Sequence, residues 1–372
     1  MSDTTRTLSL DQAFALARDT QANGDLADAK RLYERILTVK SNYAAALTLL
    51  ASIHYQRGDD IQADAYLDRS TEIYRRRTRL KPDNPQVVGP LVNQLLARGR
   101  HDEAIQYLPQ LPLQMMPVRS DAAAFARTRE QAIAAGRGPM IINTVPKSAS
   151  ETIWNRLASG LGMAQSHISI GLFPDCYLVP YRLQTFRKGG IIAKEHIPAR
   201  GYNLAQLREA GIDRIVFHLR DPRQAALSWA HFVKDDVSMR LMAPIWRKVV
   251  PPASVLQRGM DATLDWSIDD YMPHLIQFVR EWDAASRDPD TPITVKFFTF
   301  EDFRRHGDAY FAELLEFYGL SPDSFDPHAE AADVHFRKGE PDEWRSAFTR
   351  RQAERAWRQI PRDLAERFAW QR

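Results

Sequence analysis

The spacing of hydrophobic positions divides the chain into two parts. From about residue 9 to residue 110, apolar side chains recur every three or four positions, which is the period of amphipathic helices. Beyond residue 138, short apolar runs bounded by turn residues alternate with further helical segments. The first part is therefore predicted to be all-helical, and the second to contain strands and helices in alternation.

The helical part contains an internal repeat. A glycine followed five residues later by an alanine occurs at Gly24, Gly58 and Gly99, with a spacing of 34 residues and then 41. The longer second interval predicts that one helix gains two turns near residues 72–80. A period of 34 with a small residue where two helices cross resembles the tetratricopeptide repeat, and KPDNP at 81–85 is typical of its inter-repeat turn. The alternative is a generic helical bundle.

Four apolar runs in the second part are predicted to be strands. They are Met140–Thr144, the start of 189–200, Arg214–Leu219 and the middle of 291–303, each followed by a turn or a helical segment. Strands that alternate with helices favour a parallel sheet covered on both faces. We predict helical repeats over 1–112, a linker helix over 113–137 and an α/β domain over 138–372.

The loop after the first strand is the first candidate site. Its sequence, VPKSAS, places Lys147, Ser148 and Ser150 where a strand turns into a helix, and free N–H groups at a helix N-terminus attract anions. The loop contains no glycine, so it departs from the GxxxxGK[ST] loop of ATP- and GTP-binding proteins. The pattern indicates an anion site, and the alternative is an ordinary connection with a solvated lysine.

Composition narrows the class of protein. The formal net charge of +3 is small for 372 residues and does not indicate nucleic-acid binding. A single cysteine, Cys176, excludes an internal disulfide and any multi-cysteine metal centre. No signal-peptide pattern and no long apolar run is present, so we expect a cytoplasmic protein without a membrane span.

Several polar residues follow the predicted strands and are expected to converge. In open α/β sheets, ligands bind beyond the carboxyl ends of the strands. Lys147, Lys194, His196 and Arg220 all stand at such ends, although they are distant in sequence. This convergence favours a functional role for the loop at Lys147.

Four segments resemble, in order, the motifs of the sulfotransferases that use 3′-phosphoadenosine-5′-phosphosulfate (PAPS). PKSAS (146–150) resembles the family's PKSGT loop, and KEHIP (194–198) resembles KTHLP. RDPRQAALSWAHF (220–232) is similar to the segment that grips the 3′-phosphate, and residues 335–349 are similar to RKGxxGDWKxxFT. The resemblance covers roughly residues 138–360 and implies an α/β domain related to the phosphate-binding-loop fold.

The resemblance implies a role for each matching residue. Lys147 would contact the bridging oxygen and the sulfuryl group, His196 would be the base for the acceptor hydroxyl, and Lys194 would steady the transferring group. Arg220 and Ser228 would bind the 3′-phosphate. The implied donor-binding residues are Lys147, Ser148, Ala149, Ser150, Glu151, Thr152, Arg220, Ser228, Arg337, Lys338 and Gly339.

The chemistry suits these residue types. Sulfuryl transfer, like phosphoryl transfer, depends on aligning the acceptor with the leaving oxygen and on stabilising charge, and it needs no metal ion here. A histidine near its ordinary pKa suits a base at neutral pH. Glu195 and Glu151 are competing base candidates, but Glu151 is better explained as a first-turn residue favoured by the helix dipole. His218 and His231 are expected to pack in a strand and a helix.

Three positions depart from the family pattern. Ala149 replaces the loop glycine, which restricts the backbone. The family's adenine-stacking tryptophan would fall at Thr152, whereas Trp154 lies two residues further on. Residues 340–343 replace a glycine-containing turn, so the cover of the 3′-phosphate is expected to differ.

The sequence therefore predicts a sulfotransferase that moves a sulfuryl group from PAPS to an acceptor hydroxyl. A saccharide acceptor is favoured over a phenol, a small alcohol or a peptide tyrosine, with the pocket formed by 234–260 and 173–187. One alternative is a decayed enzyme whose helical repeats bind a protein partner, and another is a kinase, which would need ATP and magnesium. The segment 345–354 matches the family's dimer motif in part, since Arg350 stands where valine is usual, and a dimer stays open.

Overall fold

The computed structural model describes residues 8–111, 115, 118, 121–236, 239, 245–291, 293–332 and 339–372. Its contacts divide the chain into two compact units, each formed from two stretches of sequence. Unit 1 comprises Met1–Tyr107 and Ala230–Trp266, and unit 2 comprises Leu108–Trp229 and Ser267–Arg372. The segment 230–266, which the sequence analysis places in the α/β domain, thus packs with the helical repeats.

The helices follow one another along both units. In chain order they are α1 (Leu10–Ala22), α2 (Leu26–Val39), α3 (Ala44–Gln56), α4 (Asp60–Leu80), α5 (Pro85–Ala97), α6 (His101–Tyr107), α7 (Ala122–Ala134), α8 (Ser150–Leu161), α9 (Pro180–Phe186), α10 (Gly201–Glu209), α11 (Pro222–Asp235), α12 (Ala253–Gln257), α13 (Met260–Trp266), α14 (Met272–Ala285), α15 (Phe300–Arg305), α16 (Gly307–Phe317), α17 (Trp344–Ala347), α18 (Arg350–Gln359) and α19 (Arg362–Arg367). A π-helical turn, Ser267–Tyr271, precedes α14, and a 3-10 turn spans Pro322–Ser324.

Unit 1 begins with three helix pairs that correspond to the sequence repeat. Gly24, Gly58 and Gly99 each end the first helix of a pair with a positive φ of 91°, 75° and 69°, a conformation that glycine adopts without strain. The alanines five residues later are buried where the helices cross. Helix α4 has 21 residues and α2 has 14, which is the predicted gain of two turns.

The second stretch of unit 1 packs against helices α3 and α4. The Tyr55 hydroxyl donates to the carbonyl of Val250 at 3.2 Å, and Arg247 pairs with Asp64 at 2.8 Å. Val250 is fully buried, and every residue of α3 except Ala45 is buried. Helix α3 therefore has neighbours on nearly all its faces, and one of them is a later segment of the same chain.

Unit 2 contains a five-stranded parallel sheet. The strands are β1 (Met140–Thr144), β2 (Ala164–Ser166), β3 (Ser169–Ile170), β4 (Tyr177–Leu178), β5 (Ile191–Glu195), β6 (Arg214–Leu219) and β7 (Thr294–Thr299). The sheet order is β2-β5-β1-β6-β7, and β3 pairs with β4 as a separate antiparallel ribbon. Strand β1 is central, so the loop that follows it opens between β5 and β6.

Helices cover both faces of this sheet. On one face, Ile142 packs with Ile153 and Leu157 of α8 and with Leu314 of α16. On the other, the ring of Phe217 lies 5.1 Å from Phe278 and 6.0 Å from Trp282, both on α14. Side chains alternate across a strand, which explains why neighbouring residues of β1 and β6 serve different faces.

The fold class predicted from the sequence is confirmed: an all-helical region precedes an α/β domain with a parallel sheet. Strand β2 was not predicted, because three residues are too few to show a period. Within the described part of the chain, none of the helices combines the length and the apolar character that crossing a bilayer requires.

Candidate functional site

The loop between β1 and α8 has a left-handed backbone at two positions that are not glycine. Lys147 has φ 65° and Ala149, the N-cap of α8, has φ 66°. Left-handed residues in a tight loop at a helix N-terminus form a concave nest of N–H groups that binds anions. Each such residue costs about 1–2 kcal/mol, and strain of this kind persists at functional sites.

The strain at Ala149 gives a testable prediction. Ala149→Gly should raise the free energy of unfolding by about 1 kcal/mol, because glycine adopts the left-handed conformation without a Cβ clash. Urea unfolding measures the change. As a matched control, Ala158→Gly lies within the same helix with ordinary helical geometry and should lower stability by about 1 kcal/mol or more. A loss of stability at both positions would show that Ala149 is not strained.

Ser148 lies between these two residues and turns inward. It is fully buried, and its hydroxyl donates to the carbonyl of Val145 at 2.6 Å. A serine hydroxyl has one proton to donate. The donors that Ser148 can offer to an anion over the loop are therefore on the backbone rather than the side chain.

Arg220 follows strand β6 and connects the loop to the C-terminal segment. Its guanidinium donates to the carbonyl of Lys147 at 3.0 Å and to the carbonyl of Glu340 at 2.9 Å. It also lies 3.8 Å from the centroid of the Phe300 ring, and the residue is buried. Gly339, with φ 70°, immediately precedes Glu340 and is thus brought close to the loop.

His218, on strand β6, is hydrogen-bonded to the backbone of the loop. It is fully buried on β6, its Nε2 lies 2.6 Å from the carbonyl oxygen of Ser148, and its Nδ1 lies 2.9 Å from the Tyr310 hydroxyl. Burial lowers the pKa of His218 to about 4, with a smaller contribution from the Arg220 charge. The imidazole is neutral at ordinary pH and uses both nitrogens.

Lys194 lies at the end of β5 and is engaged by two residues of α8. Its ammonium group forms an ion pair with the Glu151 carboxylate and stands 5.2 Å from the centroid of the Trp154 ring. Trp154 is itself buried, and its indole N–H donates to the carbonyl of Ile192. Trp154 therefore belongs to the core and is not placed to stack on a nucleotide base.

His196 stands one residue beyond β5, next to the end of β1. Its Nδ1 lies 2.6 Å from the Thr144 carbonyl and 3.2 Å from the Thr144 hydroxyl. A carbonyl can only accept, so Nδ1 carries the proton and the lone pair is on Nε2. The pair of hydrogen bonds between the Asn143 side chain and the backbone of Ile197 fixes the turn that holds the ring.

The environment of His196 corrects one expectation. Burial and the neighbouring Lys194 charge lower its pKa to about 4, rather than leaving it near the ordinary value. The imidazole is consequently unprotonated, and able to accept a proton, across the whole neutral range.

The carboxylate of Glu195, the competing base candidate, is hydrogen-bonded to residues at the start of β3. It accepts from the backbone N–H of Ile168 at 2.6 Å and from the Ser169 hydroxyl, and His167 lies 3.6 Å away. Burial alone would raise the pKa of Glu195, but the hydrogen bonds from these groups lower it on balance. Glu195 thus holds the start of β3 in place.

Aromatic rings form a wall beside His196. Phe173 meets the imidazole edge-on with the centroids 6.4 Å apart, and it packs in the same way against Tyr271 and Phe278. Trp229 stacks on Tyr271 at 4.8 Å with an interplanar angle of 14°. Tyr271 ends the π-helical turn, a feature frequent at functional sites.

Glu301 is a further titratable residue near the loop that the sequence analysis missed. Burial at the start of α15 raises its pKa to about 7, and the Asp221 carboxylate adds to that effect while Arg220 opposes it. Glu301 follows a short strand and looks like a first-turn helix residue, so nothing in the sequence singles it out. His218 could have been singled out by its place near the end of β6, two residues before Arg220, because alternate residues of an extended chain lie on the same face.

The two histidines with lowered pKa values, His196 and His218, predict how stability depends on pH. Their pKa values of about 4 lie below the ordinary 6.5, so the unfolded chain binds the extra protons first. Stability is full above pH 6.5 and falls as the pH drops toward 4. For His218 the loss amounts to about 3 kcal/mol.

The measurement is the unfolding free energy of the wild type and of His218→Gln in urea at several pH values. The stability difference between the two proteins should shrink as the pH falls from 6.5 to 4, because glutamine does not titrate. A difference that is independent of pH over this window would mean that His218 keeps an ordinary pKa in the folded state.

The structure brings some of the predicted residues together and leaves others apart. Arg220 connects the backbone of Lys147 to the segment that follows Gly339. At the end of the adjacent strand β5, Lys194 pairs with Glu151 at the start of α8. His196, one residue beyond β5, contacts Thr144 at the end of β1. Ser150 and Thr152 are on the first turn of α8, and Ser228 is partly exposed on α11. Arg337 and Lys338 lie outside the described residues.

The arrangement can hold an anion rather than a metal ion. The nest and Arg220 supply donors only, which suits phosphate oxygens. Among the described residues, no group of three or more histidine, cysteine, aspartate or glutamate side chains is placed to hold a metal.

Comparisons with known proteins find likeness in structure but not in sequence. No protein-family model matches the sequence, and no curated protein matches it. Among solved structures, the chain is similar to mouse sulfotransferase SULT7A1 complexed with PAP, with a TM-score of 0.41 and 13% identity over 66% of this chain and 92% of that chain. A likeness of this degree does not bear on activity, which depends on the residues of the site.

Proposed function

We propose that this protein is a sulfotransferase that moves a sulfuryl group from PAPS to an acceptor hydroxyl. The observation that carries the proposal is the contact of Arg220 with the carbonyls of both Lys147 and Glu340. This contact joins a left-handed anion loop to the segment that follows the predicted RKG motif. We therefore assign the 5′-phosphate of one nucleotide to the loop and its 3′-phosphate to the groups around Arg220.

The donor is held by the loop and by the end of β6. The backbone N–H groups at the start of α8, together with Lys147, bind the 5′-phosphosulfate, and helix α8 adds the positive end of its dipole. Arg220 and Ser228, with the segment at 337–339, bind the 3′-phosphate. The guanidinium plane of Arg220 is fixed against the Phe300 ring, so its donors are oriented before the ligand arrives.

The transfer step follows from the tautomer of His196. The acceptor oxygen attacks sulfur, the bond from sulfur to the 5′-phosphate oxygen breaks, and Nε2 of His196 takes the acceptor proton. The products are a sulfate ester and adenosine 3′,5′-bisphosphate. Lys147 stabilises the charge that develops on the departing phosphate. Such electrostatic stabilisation is usually the largest single contribution to catalysis in reactions of this kind.

Lys194 forms an ion pair with Glu151. The ion pair keeps the ammonium group at the end of β5, beside His196 in sequence. We propose that the sulfuryl group competes with Glu151 for Lys194 in the reacting complex. Glu151 would then act as a counter-ion of Lys194 and not as the base.

The acceptor is a hydroxyl compound that fits beside an aromatic wall. Phe173, edge-on to His196, suits the face of a sugar ring as well as a phenol. A saccharide stays the favoured acceptor, and a protein partner of the helical repeats stays a second hypothesis. The contact of Val250 with α3 shows that the repeats already hold a segment of their own chain.

The test of the reaction uses sulfur-labelled PAPS and a panel of saccharides, phenols, small alcohols and tyrosine peptides. Transfer to a panel member without added magnesium supports the proposal. Binding of adenosine 3′,5′-bisphosphate without transfer to any member would favour a decayed enzyme that acts through its repeats. Phosphoryl transfer from ATP that requires magnesium would favour the kinase.

A further inference from the structure

The hydrogen bonds of His218 determine the orientation of one peptide group in the anion loop. Its Nε2 lies 2.6 Å from the carbonyl oxygen of Ser148, and a carbonyl can only accept, so Nε2 carries the proton. Nδ1 therefore carries the lone pair and accepts from the Tyr310 hydroxyl at 2.9 Å. Tyr310 is buried as well, so both partners of the imidazole are fixed.

The peptide group that His218 holds is the one between Ser148 and Ala149. In a planar trans peptide the C=O and the N–H point in opposite directions. Since the carbonyl of Ser148 points inward to His218, the N–H of Ala149 points outward, over the N-terminus of α8. Ala149 is also the left-handed N-cap of that helix, so this N–H belongs to the nest described above.

Packing alone does not account for a histidine at this position. Its neighbours on β6 from Ile215 to Leu219 are buried and apolar, and a buried imidazole is costly unless both nitrogens are hydrogen-bonded. The left-handed residues on either side of Ser148 leave the loop in an uncommon conformation that the surrounding structure must enforce. His218 supplies that constraint from the neighbouring strand.

We propose that His218 is a positioning residue for the 5′-phosphate of the donor. It holds the Ser148–Ala149 peptide so that the N–H of Ala149 faces the anion, and Tyr310, by donating to Nδ1, holds the His218 ring in that orientation. The inference rests on the proposed function, because it assumes that the loop binds the 5′-phosphate of the donor nucleotide.

Two variants of similar size separate positioning from packing. His218→Gln places an amide N–H near the position of Nε2 and keeps a donor for Ser148, whereas His218→Asn places its amide near Nδ1 and loses that donor. Tyr310→Phe removes only the hydroxyl that hydrogen-bonds Nδ1 and orients the ring. Circular dichroism and thermal unfolding verify that each variant is folded. If His218→Asn does not fold, Tyr310→Phe still tests the proposal.

The readout is the affinity for two nucleotides that differ by the 5′-phosphate. Calorimetry compares adenosine 3′,5′-bisphosphate with adenosine 3′-monophosphate in each variant. In His218→Asn we expect the affinity for the bisphosphate to fall about ten- to a hundred-fold, the worth of a hydrogen bond to a charged group, and that for the monophosphate to stay within about three-fold. His218→Gln should recover most of the loss, and Tyr310→Phe should show a smaller loss of the same selectivity.

Different failures have different meanings. Equal losses for both nucleotides, or no loss in His218→Asn, would overturn the positioning role and leave the proposed function intact. A wild type that binds neither nucleotide would overturn the proposed function, and this inference with it.

Discussion

Replacing His196 with asparagine should lower the rate of sulfuryl transfer by about 10² to 10⁴ while the affinity for adenosine 3′,5′-bisphosphate stays within about two-fold. The amide of asparagine lies near the position of Nδ1 and can keep the hydrogen bond to the Thr144 carbonyl. It lacks the nitrogen at Nε2 that would take the acceptor proton. Turnover at saturating donor and calorimetry of the product nucleotide measure the two quantities.

The matched control for this prediction is Glu195→Gln. Glu195 is one residue away and accepts hydrogen bonds that hold β3, so its loss should reduce stability and not selectively remove the chemical step. If His196→Asn retains full turnover, the base is another group. If Glu195→Gln loses turnover at unchanged stability and donor affinity, that group is Glu195.

The second large effect is expected at Arg220. Arg220→Lys keeps the positive charge but loses the planar fork that reaches Lys147 and Glu340 together. We expect the affinity for adenosine 3′,5′-bisphosphate to fall by about a hundred-fold, since hydrogen bonds to charged groups are each worth about ten-fold or more. Calorimetry measures the change.

Arg214→Lys is the control for Arg220. Arg214 begins the same strand at its other end, where it pairs with Asp213 and donates to the carbonyl of Phe317. Arg214→Lys should leave the affinity for the nucleotide within about two-fold of the wild type. If altering any part of this strand weakened binding, Arg214→Lys would lose affinity as well. Unchanged affinity in Arg220→Lys would remove Arg220 from the donor site.

Much of the fold could be predicted from hydrophobic spacing. Strands Met140–Thr144 and Arg214–Leu219 have the predicted bounds, because a continuous apolar run between turn residues marks a buried parallel strand. The longer helix α4 follows from the interval between Gly58 and Gly99. The packing of 245–257 against α3 could not be predicted, since it joins residues about 200 positions apart, and nothing in either segment alone indicates its partner.

Less of the candidate site than of the fold could be predicted from the sequence. Residue types at strand ends indicated where Lys147, Lys194, His196 and Arg220 lie, but not the direction of each side chain. The inward turn of the Ser148 hydroxyl depends on two backbone angles that the sequence does not determine. The pKa of His196, lowered to about 4, depends on burial and on Lys194, which are properties of the assembled sheet.

The central claim is that the loop and Arg220 form a site for a nucleotide with both 5′- and 3′-phosphates. Calorimetric titration of adenosine 3′,5′-bisphosphate into the wild type, Lys147→Ala and Arg220→Ala tests it most directly. We predict one site per chain with micromolar affinity in the wild type, as is common for enzyme ligands, and loss of binding in both variants. No binding in the wild type, or equal binding in all three proteins, would contradict the claim.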